Sequence, residues 1–144
     1  MLNLAFPEVV RFYRAAAGHR VAARALLDHC PEQTASVLGH EAIYLSGYVV
    51  ECSLKALLLT RFPRAKHPEV VGWFKRELKH DLERLKVELR KKGVGFPTVH
   101  VENLKRVRTV WGAEMRYNIR AWQRGRAVPV FLAAEGLFEW VVGD

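Results

Sequence analysis

Cysteine is nearly absent from this chain: Cys30 and Cys52 are the only two in 144 residues. One falls at an expected helix end and the other on an apolar helix, which argues for reduced thiols and a cytoplasmic setting over a disulfide framework. The spacings that hold zinc are missing as well. No cysteine pairing fits a zinc finger, and Tyr44 stands where a zinc protease beginning at His40-Glu41 would need its second histidine, so neither a metal nor a cofactor is expected. Gly93 and Gly95 lack the further glycines, the Lys-Ser/Thr pair and the strand context of a phosphate loop, which argues against an NTPase. No segment joins a charged start, an apolar centre and a small-residue cleavage site. The longest apolar run, Ala42 to Leu59, is interrupted by Glu51 and Lys55, so neither a signal peptide nor a membrane span is read.

Apolar residues make up 50% of the chain, enough for a core, and residues 1–144 read as a single domain with no repeat or linker. Lysine and arginine outnumber the acids by 23 to 15, and a net charge of +8 attracts polyanions: RNA, DNA or acidic proteins.

Periodicity places a first helix over Phe6 to His29, with Pro7 in its first turn. Pro31 and Glu32 are expected to open a second, central helix that runs to about Arg61, before Pro63. Arg64 to Lys79 reads as an exposed basic connector with a short helical piece around Glu69 to Leu78. Leu78, Leu82, Leu85 and Leu89 then form the seam of a third helix that starts near His80. A fourth helix is expected over Thr98 to Met115, and a last one through Val142 with Pro129 in its first turn. The architecture is an all-α, antiparallel up-and-down bundle of four main helices, or five.

Two constellations bear chemistry. On the central helix His40, Tyr44, Gly47, Glu51 and Lys55 recur at steps of three and four and so share one stripe. That stripe either lines a groove, or Glu51 and Lys55 pair with each other or with Arg116 and Tyr117 as an internal clamp. Beyond the fourth helix, Arg116, Tyr117, Asn118, Arg120, Trp122, Arg124 and Arg126 interleave cations with planar rings. Guanidinium forks suit phosphate oxygens and an indole stacks on a base, so this segment is the first choice for an RNA contact. A second basic set, Lys86, Arg90, Lys91 and Lys92 with Lys105, Arg106 and Arg108, reads as a solvated face. His80, beside Asp81, is expected to cap or pack at a helix start, and is also the best acid/base candidate should the protein be an enzyme.

The run LSGYVVECSLKALLL, the His80-Asp81-Leu82 triplet, and Trp111, Glu114, Arg116 and Tyr117 further on, in that order and spacing, resemble the HEPN family of small helical bundles linked to nucleotide and RNA. The resemblance spans roughly Val9 to the C-terminus. It implies a homodimer that binds nucleotide or RNA, as the HEPN component of a prokaryotic toxin-antitoxin or defence system, with a minimal nucleotidyltransferase antitoxin as partner. In that reading Arg116, Arg120 and Arg124 neutralise phosphate, Tyr117 or Trp122 stacks, and Glu51 with Lys55 orients the cleft. Ribonucleases of the family carry an Arg followed after four to six residues by a His. Here no histidine follows Arg116 or Arg120 in that way. Arg14 with His19 and Arg61 with His67 match the spacing by chance. A metal-independent endoribonuclease using Arg116 with His80 is one alternative, and a non-catalytic dimeric scaffold is another.

Overall fold

One helix organises the molecule. Val37–Thr60 (α2) is buried without interruption from Val49 to Leu59, and although long and apolar enough to cross a membrane, it is mostly covered by the chain's own helices. The computed structural model of the protein describes residues 2–143, and these form an all-α fold.

Pro7–His29 (α1) opens on a proline whose missing N–H falls where no helical partner exists. It runs antiparallel to α2: the Asn3 N–H just ahead of it donates to Thr60 Oγ1 at 3.2 Å, and His19 lies against the Tyr48 ring at 5.7 Å. Arg124–Val142 (α6) packs antiparallel to α1, with Tyr13 stacked on Phe138 and the Arg24 guanidinium over Phe131. Glu135 and Glu139 of α6 are tied to Arg20 at 2.9 and 3.7 Å, and Glu135 also to Arg24 at 3.2 Å. Thr98–Val110 (α5) in turn runs antiparallel to α6, its His100 stacked on Trp140.

Between α2 and α5 lie two shorter helices. His67–Trp73 (α3) widens into a π turn over Phe74–Leu78, and Leu82–Lys91 (α4) buries Leu82, Leu85 and Leu89 while its other faces stay charged. The expected connector is thus helical from His67 onward. It is not wholly exposed either, since His67, Val70, Phe74 and Leu78 are buried.

Four boundaries differ from the sequence reading, each for a local reason. The central helix begins at Val37, because Ser36 accepts the Leu38 N–H at 3.1 Å as N-cap while its own backbone pairs with Trp122, which keeps the preceding residues extended. At the start of α4 the cap is Asp81, which accepts from the Arg84 N–H at 3.0 Å, and His80 points elsewhere. The fourth helix stops at Val110, where Trp111 turns extended to insert its indole against α2. Pro129 lies in the second turn of α6, because that helix already begins at Arg124. The carbonyl it leaves without a helical donor belongs to exposed Gly125.

The Trp111 indole fills the space where a Cβ on Gly47 would stand, and its N–H donates to the Tyr44 carbonyl at 2.9 Å. Gly18, midway along α1, has open space around it. Urea denaturation should therefore separate the two glycines. Gly47→Ala is expected to lower the unfolding free energy by about 1–3 kcal/mol through overpacking. Gly18→Ala should raise it by about 0.5–1 kcal/mol through helix propensity.

Candidate functional site

Glu51 lies near the middle of α2, its side chain only 6% exposed, and a carboxylate so placed requires donors on both oxygens. It has them. Lys55, one turn on, donates from Nζ to Glu51 Oε2 at 3.2 Å, and His80 Nδ1 lies 2.6 Å from Oε1. Because the ionised carboxylate only accepts, His80 Nδ1 carries the proton and donates it, which leaves Nε2 as the free ring nitrogen. The Lys55 ammonium also donates to the Lys79 carbonyl at 2.7 Å and stands 5.4 Å from the centre of the Phe74 ring. Lys79 delivers that carbonyl from a left-handed backbone with φ of 45°, a conformation that costs a non-glycine residue free energy and marks a chain held in place by its surroundings.

The cluster continues upward through rings. Tyr48 meets His80, Trp111 and Tyr44 edge-on at 5.7, 5.3 and 5.1 Å, and its hydroxyl lies 3.3 Å from that of Tyr44. Burial, the Tyr44 hydrogen bond and the Glu51 charge hold the Tyr48 phenol well above its usual range, against the opposing pull of Arg116. The phenol therefore serves as a neutral hydrogen-bonding group and not as a base. Burial lowers His19 below its ordinary value of 6.5, against the pull of Glu51. Cys52 is pushed up to about 12 by burial and by the adjacent Glu51, with Lys55 opposing, so its thiol is inert at neutral pH. His80, its side chain 42% exposed, is the one member of the central triad that reaches solvent.

The other half of the site is the segment between α5 and α6. Ala113–Arg116 forms a single 3₁₀ turn, and the chain then runs irregularly to Gln123. Two anchors fix it over the N-terminal part of α2. Buried His40 donates from Nε2 to the Met115 carbonyl at 2.8 Å and accepts the Arg120 N–H on Nδ1 at 3.1 Å. Ser36 and Trp122 exchange two backbone hydrogen bonds at 3.0 Å. Gly39 lets the loop approach, since a Cβ there would stand 2.5 Å from the Trp122 carbonyl oxygen.

The structure thus brings Glu51, Lys55 and His80 together and places Arg116, Tyr117 and Arg120 on the outside of the pinned loop. Of the two alternatives for the polar stripe, the structure shows the internal Glu51–Lys55 pair and no open groove at His40 or Gly47, since the loop covers one and Trp111 the other. Glu51 and Lys55 pair with each other and with His80, not with Arg116 or Tyr117. Arg124 is engaged with Glu32 at 3.4 Å, and half-buried Trp122 lies beneath the Arg126 guanidinium at 4.9 Å. Among the described residues no three His, Cys, Asp or Glu side chains converge as a metal site would need.

Sequence reasoning missed Tyr48, which stands four residues after Tyr44 and three before Glu51 and so was reachable from helical spacing. Nothing local marked the Lys79 carbonyl, and His19 stood out only through its spacing from Arg14, not for its place beside Tyr48. No family model, curated protein or solved structure matches the chain.

Removing Glu51 strands Lys55 in the interior. Glu51→Ala is expected to cost about 3–5 kcal/mol of stability, the scale on which a buried pair loses one partner. His80→Ala should cost no more than about 1–2 kcal/mol, because the carboxylate keeps Lys55. Denaturation of both variants checks this ordering; a Glu51→Ala protein as stable as the parent contradicts it.

Proposed function

We propose that the protein binds RNA or nucleotide through the loop between α5 and α6. In this reading it is the HEPN-like component of a prokaryotic toxin-antitoxin or defence system, cytoplasmic and homodimeric, with a minimal nucleotidyltransferase as its partner.

The observation that carries the proposal is the state of that loop. Arg116, Tyr117 and Arg120 are exposed, and neither arginine forms an ion pair among the described residues. The Arg116 guanidinium lies 4.7 Å from the centre of the Tyr117 ring, so a cation and a flat face are offered side by side. His40 and Ser36 hold the backbone beneath them, which spares the ligand the entropy of ordering a loop. An exposed, unneutralised, preordered array of this kind suits phosphate oxygens and a stacked base.

A second reading has its own observation. His80 is oriented by the buried Glu51 carboxylate with Nε2 free, the arrangement of a histidine positioned for proton transfer. An endoribonuclease needs one group to take the ribose 2′ proton and another to protonate the leaving oxygen, and His80 is suited to either task.

Fluorescence anisotropy with single-stranded RNA tests the binding reading. The Arg116→Ala/Arg120→Ala variant should melt like the parent yet bind more weakly, its log-log salt slope shallower by about one unit per arginine removed. Unchanged, near-background affinity in both proteins would contradict it in favour of a protein-only scaffold. RNA cleavage in EDTA that disappears in His80→Ala would establish the enzymatic reading.

A further inference from the structure

Between α5 and α6 lies a hollow of about 390 Å³ that the loop reading leaves unused. Its size falls in the range of ligand sites, about 300–1,000 Å³. Lys105, Arg106 and Thr109 line it from α5, and Arg126 and Pro129 from α6. Lys105, Arg106 and Arg126 make no ion pair among the described residues, so three cations face the same space with one carboxylate, Glu102, also on its wall. The Thr109 hydroxyl donates to the Lys105 carbonyl at 2.7 Å, so its one proton is already used and the three cations carry the lining's attraction for an anion. Such a lining favours an anion.

The hollow also adjoins the loop. Arg126, which lines it, rests its guanidinium over the Trp122 ring, and Trp122 is the residue whose backbone closes the loop onto Ser36. The indole N–H of Trp122 is buried without an acceptor among the described residues, an unmet donor at the joint between the two basic surfaces.

We infer that the α5–α6 hollow is a second phosphate site and that hollow and loop form one continuous track, so the ligand is a single strand of RNA several nucleotides long and not a mononucleotide. The inference rests on the loop reading above. It reassigns Lys105 and Arg106 from a solvated face to a binding surface, for a physical reason absent from the sequence: α6 brings Arg126 opposite them. A mononucleotide has phosphate enough for one of the two sites. A strand neutralises both, and each added phosphate releases counterions and deepens the salt dependence.

The test compares a mononucleotide, a dinucleotide and longer single-stranded RNA oligomers by anisotropy or competition. Three proteins are used: the parent, Lys105→Ala/Arg106→Ala and Arg116→Ala/Arg120→Ala. All four positions are exposed, and thermal melting verifies that the variants fold. The expected result is affinity that rises with length in the parent, and a hollow variant whose affinity rises with length less steeply, losing about tenfold for each cation removed on the longest oligomers. A hollow variant that binds long RNA as tightly as the parent, alongside a weakened loop variant, would overturn the second site and leave the loop reading standing. Long-RNA affinity untouched by either variant would overturn both.

Discussion

The structure depends on one buried carboxylate. Glu51 sits inside an otherwise apolar helix, where an unpaired negative charge would be prohibitive, so the rest of the fold is arranged to supply its donors. Lys55 satisfies one oxygen from the same helix. His80 satisfies the other from the turn before α4, and the strained carbonyl of Lys79 completes the coordination of the Lys55 ammonium. Two adjacent residues between the π turn and α4, Lys79 and His80, are thereby fastened to the centre of α2. Desolvation of both charges offsets most of their attraction, so the pair adds little net stability even though losing one partner is costly.

The same helix positions the candidate binding surface by a second device. His40 uses both ring nitrogens on backbone groups of the loop, Gly39 and Gly47 remove the side chains that would hold the loop and Trp111 away, and Ser36 closes the far end. Polar residues on one face of α2 thus divide into two groups. Those toward the N-terminus bind backbone and hold the arginine-bearing loop; those toward the C-terminus hold His80 at the surface. Tyr48 and Trp111 join the two through edge-on contacts, and Arg116 is close enough for its charge to bear on the Tyr48 phenol.

Much of the architecture was legible because it rests on local pattern. The apolar periodicity of α1, the leucine seam of α4 and the proline stops gave the helices nearly in place, and the i, i+4 spacing of Glu51 and Lys55 gave their pairing. Their burial was not legible, since a helix apolar on every side gives no phase from which to read an inward face. His40 looked like a groove-lining residue for the same reason: spacing defines a stripe but not what covers it. The start of α2 was misplaced because a Pro-Glu pair suits a first helical turn as well as an extended lead-in, and the bridge to Trp122 that decides the matter comes from far along the chain. Trp111 ended α5 early on the strength of its packing against Gly47, again a long-range partner. The hollow between α5 and α6 was out of reach altogether, because its cations come from two helices whose relative placement no spacing encodes.

The most direct measurement is an NMR titration of the protein with short single-stranded RNA, followed through the backbone amides and the four tryptophan indole N–H signals. The account predicts that shifts gather on residues 113–126 and on the Lys105–Arg106 stretch, with the Trp122 and Trp111 indoles moving and those of Trp73 and Trp140 standing still. Shifts centred on α3 and the Trp73 indole, or no saturable shifts at all, would contradict it.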